Sequence, residues 1–275
     1  SEMCIRDRKY SASETGRVTA NAAKALLGKV YLTFHKWNEA KDVLSQLIGK
    51  YSLLPSIGQV FDVNNKNNAE IIFAVHFNKE IVNEGHSYWY DITNLTDESG
   101  QAEALVNCFT PGDTRKEMIT YVKAENKAYL MTKFLDTKNV SFNQVGNDQI
   151  LLRYADVLLM YAEALNELGY DASEGSIALK QLNATRTRAG LTKLTAADVP
   201  TQESFRKAIL DERQKEFPYE GHRWFDLVRM GYAKSVLAIQ GLNIQDYQLL
   251  FPIPQTEIEK VGDSKILWQN PGYDK

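Results

Sequence analysis

Apolar residues fall at helical steps in the first fifth of this chain and again beyond residue 150, and that spacing limits the fold more than any other feature. From Val18 to Phe34, the residues Ala22, Ala23, Leu26, Leu27, Val30, Tyr31 and Phe34 recur three and four positions apart, as on a helix with one buried stripe. A break over His35 to Asn38 follows, and Asn38 is placed to cap a second helix carrying Ala40, Val43, Leu44, Leu47 and Ile48. A second pair opens at Leu151, where LLRYADVLLMYAEALNELG is apolar almost all round and should be buried, and continues with a helix over Ser176 to Arg188. A third pair spans Gln202 to Phe217 and Gly221 to Met230, with Pro218 marking the break. Glycine and proline together make up 23 of 275 residues, about 8 % where about 12 % is usual, which agrees with a helix-rich chain.

In the first pair, over residues 18–48, Leu27, Gly28, Tyr31, Ala40 and Leu44 match the small and large positions of the 34-residue tetratricopeptide unit, where small residues let two helices approach closely. The expected architecture is all-α dominated: a helical domain over residues 16–275 with pairs at 18–48, 151–188 and 202–230, after a non-native or disordered start at 1–15. Between the first two pairs, over residues 69–149, the periodicity fails. AEIIFAVHF (69–77) has the β-rich character and length of a strand, and only one short helical pattern, around Asp113 to Met131, follows it. A segment this long without a repeat of its own is a functional or inserted subdomain. In the tail, residues 247–275, Pro252 and Pro254 force extended backbone before a helical turn at Glu257, and the tail is expected to wrap the helices.

Composition removes several classes of function. A formal charge of -3 leaves no basic stripe for nucleic acid and no polybasic membrane patch. No apolar run approaches the roughly 18 residues of a membrane span. The opening SEMCIRDRKYSASETGRVTA has no apolar core of a signal peptide, and its MCIRDR resembles translated adapter sequence, so Cys4 is set aside with it. Cys108 alone then builds neither a disulfide framework nor a thiolate metal site. The four histidines, at 35, 76, 86 and 222, place no two on one helix turn, so no metal site is expected. Neither a phosphate loop, a G-x-G-x-x-G after a strand, nor a G-x-S-x-G elbow occurs, and no cofactor is expected.

The densest chemistry is ILDERQKEFPYEGHRWFDLVRMG. Glu212 and Glu216 lie four apart on one helix face, and Arg213, Arg223, Asp226 and Arg229 lie beside them. Two carboxylates invite a glycoside hydrolase reading, since such enzymes pair them about 5 to 9.5 Å apart. The neighbouring arginines favour a buried structural ion-pair network, which holds both carboxylates ionised where an acid catalyst needs one protonated. The second candidate lies in the irregular segment: Tyr88, Trp89 and Tyr90, with His86 before and Phe109 after. Aromatic faces stack on the C–H side of sugar rings, and this is a means for a weakly charged chain to hold a glycan. Trp37, Trp224 and Trp268 are read as core.

RYADVLLMYAEALNELG, LNATRTRAGL, ILDERQKEFPYEGHRWFDLVRMG, FPIPQTEIE and QNPGY, in that order, resemble the C-terminal half of the SusD/RagB family of outer-membrane nutrient-binding lipoproteins. GRVTANAAKALLGKVYL, KWNEAK and EIIFAVHF resemble the segment just upstream. The resemblance implies a tetratricopeptide-type scaffold without enzymatic activity. It implies a lipid-anchored place at the cell surface, binding of an oligosaccharide, polysaccharide or peptide, and delivery to a SusC-like TonB-dependent transporter in polysaccharide utilisation. It also implies a lipoprotein signal and further amino-terminal helices, so that this chain resembles a fragment whose first helix should expose apolar residues. A tetratricopeptide protein-interaction scaffold is the alternative reading of the helix pairs.

Overall fold

The fold is described from a computed structural model that covers residues 16–82, 84–86, 94–96, 101–123, 128–134, 136 and 145–273. Its contacts divide into two units, the first ending at Glu220 and the second starting at Gly221. The third expected helix pair is therefore split between the units.

In the first unit, α1 (Ala20–Thr33) starts where the Thr19 hydroxyl accepts a hydrogen bond from the Ala22 N–H at 3.1 Å. The helix α2 (Trp37–Ser45) begins one residue earlier than the expected cap, so Asn38 lies inside its first turn. The connection closes early because His35 takes a left-handed φ of 55°, its ring stacks on Trp37 at 5.0 Å, and the Lys36 N–H donates to the Tyr31 carbonyl. Gly28 is where α1 meets α2. A Cβ there would lie 2.5 Å from Leu44 Cδ2, and Leu44 is wholly buried and has nowhere to move. Gly28→Ala normally adds about 1 kcal/mol of helix propensity. Overpacking of about 1 to 3 kcal/mol should outweigh it here. The expected outcome in urea unfolding is a net loss of up to about 2 kcal/mol; a gain would show that Leu44 yields. On the opposite side of α1, Leu26 and Phe34 are 54 % and 71 % exposed, with Val18, Leu27 and Val30 beside them, whereas Ala22, Ala25 and Leu32 are buried.

The strands β1 (Ile71–Val75) and β5 (Gln149–Arg153) pair antiparallel, with Ile71 opposite Arg153 and Val75 opposite Gln149. The long segment between them therefore leaves the scaffold and returns to it at one place. The helix α4 (Tyr154–Leu168) follows β5 directly and packs on α1, α2, α5 (Ile177–Arg188) and α6 (Gln202–Glu216). Neighbours on so many sides explain why its sequence is apolar nearly all round. Ser176 caps α5 through the Leu179 N–H, and Thr201 with Ser204 forms a capping box on α6.

Within the excursion the sequence expectation needs correction. The pattern over Asp113 to Met131 is not a helix. It is a 3₁₀ turn at Thr114–Met118 followed by β3 (Ile119–Lys123) and β4 (Ala128–Met131). ITYVK and AYLM are rich in β-branched and aromatic residues, which fit a pleated surface better than a helix. β4 lies between β3 and β2 (Asn94–Thr96), and the helix α3 (Gln101–Asn107) occurs where none was expected. Beneath them Ile57, Val60, Phe61, Phe109, Met118, Met131 and Phe134 form a separate apolar cluster.

The second unit holds α7 (Arg223–Arg229), α8 (Ala233–Ile239) and α9 (Gln255–Val261). Among the described residues no helix is long and apolar enough to cross a membrane.

Candidate functional site

Glu212 and Glu216 are one turn apart on α6 and fully enclosed, both at 0 % side-chain exposure. Enclosed carboxylates need guanidinium partners, and three arginines supply them. Arg115, in the 3₁₀ turn of the excursion, grips Asp113 with Nε and Nη2, both at 2.9 Å, and reaches Glu212 Oε1 at 2.7 Å and Glu216 Oε2 at 3.1 Å through Nη1. Arg153, the last residue of β5, uses all five of its N–H bonds. They go to Glu220 (2.7 and 2.8 Å), Glu70 (2.9 Å), the Glu216 carboxylate (2.6 Å) and the Glu216 carbonyl (2.7 Å). Arg188, the last residue of α5, bonds Glu70 at 3.0 Å and also Glu216. Arg186 stands 3.6 Å from Glu212, and Lys133 bonds Glu220 at 2.5 Å. Five carboxylates thus meet five cations around one point.

Of the three arginines expected to hold Glu212 and Glu216, Arg213 is turned away. Adjacent residues on a helix point about 100° apart, and Arg213 reaches Asp156 of α4 at 2.7 Å. Asp156 also takes Lys29 of α1 at 3.2 Å, so this second tie joins three helices. Arg223 and Arg229 belong to the second unit, where Arg229 bonds Asp226 one turn before it at 2.8 Å. The members missed from sequence were Glu70, Asp113, Arg115, Lys133, Arg153, Arg186, Arg188 and Glu220. A signal existed for two of them: Glu70 and Arg153 are single charges set in otherwise apolar runs, and a buried charge demands a partner.

The electrostatics follow from this packing. Burial alone would raise the Glu216 carboxyl, but Arg188, Arg153 and Arg115 together hold it well below the usual carboxylate range. Burial likewise opposes the charge on Arg115, yet Asp113, Glu212 and Glu216 keep it more firmly protonated than a free arginine. Glu216 held in this way has no proton to give, and Glu212 beside it is as fully enclosed, out of reach of water and of a glycoside. Lys133 is the exception, since burial pushes its ammonium down to about 8 despite Glu220 beside it.

The signs decide the pH dependence. Glu216 has a folded value below its ordinary 4.5, so its contribution is present above that pH and is lost as pH falls. Lys133 holds its proton less tightly folded than unfolded, so stability rises between about pH 8 and 10.5. The stability of the unchanged chain relative to Lys133→Met should therefore rise across that interval in urea titrations. A flat difference would show that the ammonium is not buried as a cation.

At the root of the excursion a second polar cluster holds its two ends together. Asp148 accepts from Lys66 at 2.7 Å, from His76 Nδ1 at 2.6 Å and from the Phe77 N–H at 3.1 Å. Asp136 takes Lys79 with both oxygens, at 2.9 and 2.8 Å. His86 pairs with Val145 through the backbone, and its Nε2 donates to the Asn147 carbonyl at 2.8 Å. A carbonyl only accepts, so Nε2 carries the proton. Of the aromatic candidates, His86 thus packs at this root, 4.3 Å from the Phe77 ring, and Phe109 is core. Tyr88, Trp89 and Tyr90 lie outside the described residues.

In the second unit the motifs FPIP and QNPGY hold each other. Gln269 bonds the backbone of Ile253 through both its oxygen and its amide, each at 2.8 Å, and Asn270 donates to the Phe251 carbonyl at 2.7 Å. Gly272, at φ 90°, lies against Tyr247 so closely that a Cβ would come within 2.4 Å of the ring. Trp268 in this clasp is 62 % exposed, which corrects its reading as core: the Gln269 and Asn270 amides, not the indole, hold the two segments together.

Among the described residues no group of three His, Cys, Asp or Glu side chains could hold a metal. The model of the SusD family matches residues 113–273, well over half of the chain. The chain belongs to the SusD family. SusD-like protein P25 of Formosa agariphila is 27 % identical over 315 residues, covering 91 % of this chain and 58 % of its own length. Starch-binding protein SusD of Bacteroides thetaiotaomicron is 31 % identical over 147 residues, 50 % of this chain and 24 % of its own. Among solved structures, a laminarin-binding SusD-like protein superposes with a TM-score of 0.71 at 27 % identity, over 96 % of this chain and 65 % of its own. The chain therefore spans under two thirds of the length of these relatives. Every network residue but Glu70 lies within the segment that matches the SusD family.

Proposed function

We propose that this SusD-family chain belongs to a non-catalytic cell-surface protein that holds glycan for delivery to a TonB-dependent outer-membrane transporter. The observation that carries the reading is family membership together with relatives named for binding laminarin and starch. The geometry agrees in one respect: the most concentrated acid–base chemistry is spent on internal pairing, and the excursion is held firmly at its root, as a segment that presents contacts to a ligand must be. Within that excursion Tyr88, Trp89 and Tyr90 are the proposed sugar contacts, and a lipid anchor in the full-length protein would keep them at the surface.

The test is retention of the purified chain by laminarin and by starch in affinity electrophoresis. Trp89→Ala or the Tyr88/Tyr90 double replacement, but not both equally, should weaken retention roughly two- to tenfold, the loss expected from one stacking contact of about 0.5 to 1.5 kcal/mol. In an extended backbone alternate residues face opposite ways, and a difference between the two variants is the test of that arrangement. Undiminished binding in both, with folding intact, would remove these residues from the site. Failure to bind any polysaccharide would overturn the reading for this chain.

A further inference from the structure

Beneath the root of the excursion is a cavity of about 10 Å³, lined among others by Val60, Phe61, Lys66, Ile71, Asn147 and Asp148. That is room for the centre of one water molecule and for no larger ligand. Two groups on its wall have unused hydrogen-bonding capacity of opposite kinds. Asn147 is only 2 % exposed, and its Nδ2 donates to the Phe61 carbonyl at 3.3 Å while its Oδ1 has no protein partner. The amide orientation is fixed by that bond, because turning it over would set Oδ1 against the Phe61 carbonyl, one acceptor against another. Lys66 has three N–H donors and spends two, on the Phe77 carbonyl and on Asp148. A buried amide oxygen left without a donor costs about 1 to 3 kcal/mol, so such groups are almost always satisfied.

We propose that one water molecule is a permanent ligand of this cavity, donating to Asn147 Oδ1 and accepting from the third N–H of Lys66. The chemistry selects water over a cation, because an ammonium already forms part of the wall and Asp148 is already matched by Lys66 and His76. Size excludes an organic group. Both of its partners tie the water to the root: the Asn147 carbonyl receives His86, and Lys66 donates to Asp148 and to the Phe77 carbonyl. The water thus completes a polar block that exists whatever the excursion binds, and the inference stands independently of the glycan reading.

A crystal structure of this chain at better than about 1.8 Å should show a well-ordered water at 2.7 to 3.2 Å from both Asn147 Oδ1 and Lys66 Nζ. Oxygen-17 relaxation dispersion in solution should count one long-lived water fewer in Asn147→Leu than in the unchanged chain. A dry cavity, or Asn147 Oδ1 bonded to a protein donor, would overturn the proposal. An unchanged count in a folded Asn147→Leu would do the same. If that variant does not fold, the crystal structure of the unchanged chain decides alone.

Discussion

Glu216→Ala is expected to unfold roughly 6 to 20 °C below the unchanged chain, which corresponds to a loss of about 3 to 5 kcal/mol. The carboxylate accepts from Arg115, Arg153 and Arg188 at once, in a place that water does not reach. Removing it leaves three guanidiniums facing one another without their common counter-charge. The loss measures buried cations left with fewer counter-charges, since Arg115 keeps Asp113 and Glu212 while Arg153 and Arg188 keep Glu70, and it exceeds what the intact pairings contribute relative to an apolar core. Glu257→Ala is the control, because its pair with Lys260 is exposed and should shift the midpoint within error. Equal midpoints for Glu216→Ala and the unchanged chain would sink the network as a stabilising element.

Arg115→Met should cost a similar amount but act locally. Arg115 is a tether from the excursion to α6, and without it Asp113, Glu212 and Glu216 each lose a partner. Amide hydrogen exchange should then accelerate over Asp113–Phe134 before it does so in α4, whose Asp156 keeps its pair with Arg213 of α6. Exchange that rises evenly across the first unit would mean that the excursion and the scaffold open as one, against the idea of a tether.

The two predictions rest on residues that the sequence showed unequally. Helix pairs were legible because a 3.6-residue period repeats over a dozen positions, as it does from Ala22 to Phe34 and from Leu151 onward. The strands β3 and β4 were not, because ITYVK and AYLM are too short to separate from a helix by period alone. What decides them is pairing with each other and with β2, which is not local information. The ion-pair network was legible as a concentration of charge on α6, but its wiring was not. Arg188 and Glu70 are 118 positions apart and Arg115 and Glu216 are 101 apart, so sequence proximity favoured Arg213, which faces another helix. Trp268 shows the same limit from the other side: a large aromatic in a motif reads as core, and here the motif's amides hold the clasp while the indole is exposed.

The pairing of β1 with β5 sets a rule for how such a chain can diversify. Because the strands join both ends of the excursion at one doorway, its contents can lengthen, shorten or be exchanged as a cassette with little entropic consequence for the helices around it. The exchange is not unconditional. Arg115 and Lys133 travel with the cassette, while Glu212, Glu216 and Glu220 stay behind. A replacement that omits the two cations would leave Glu212, Glu216 and Glu220 each one buried partner short, so a new cassette that brings matching charge is accepted at lower cost.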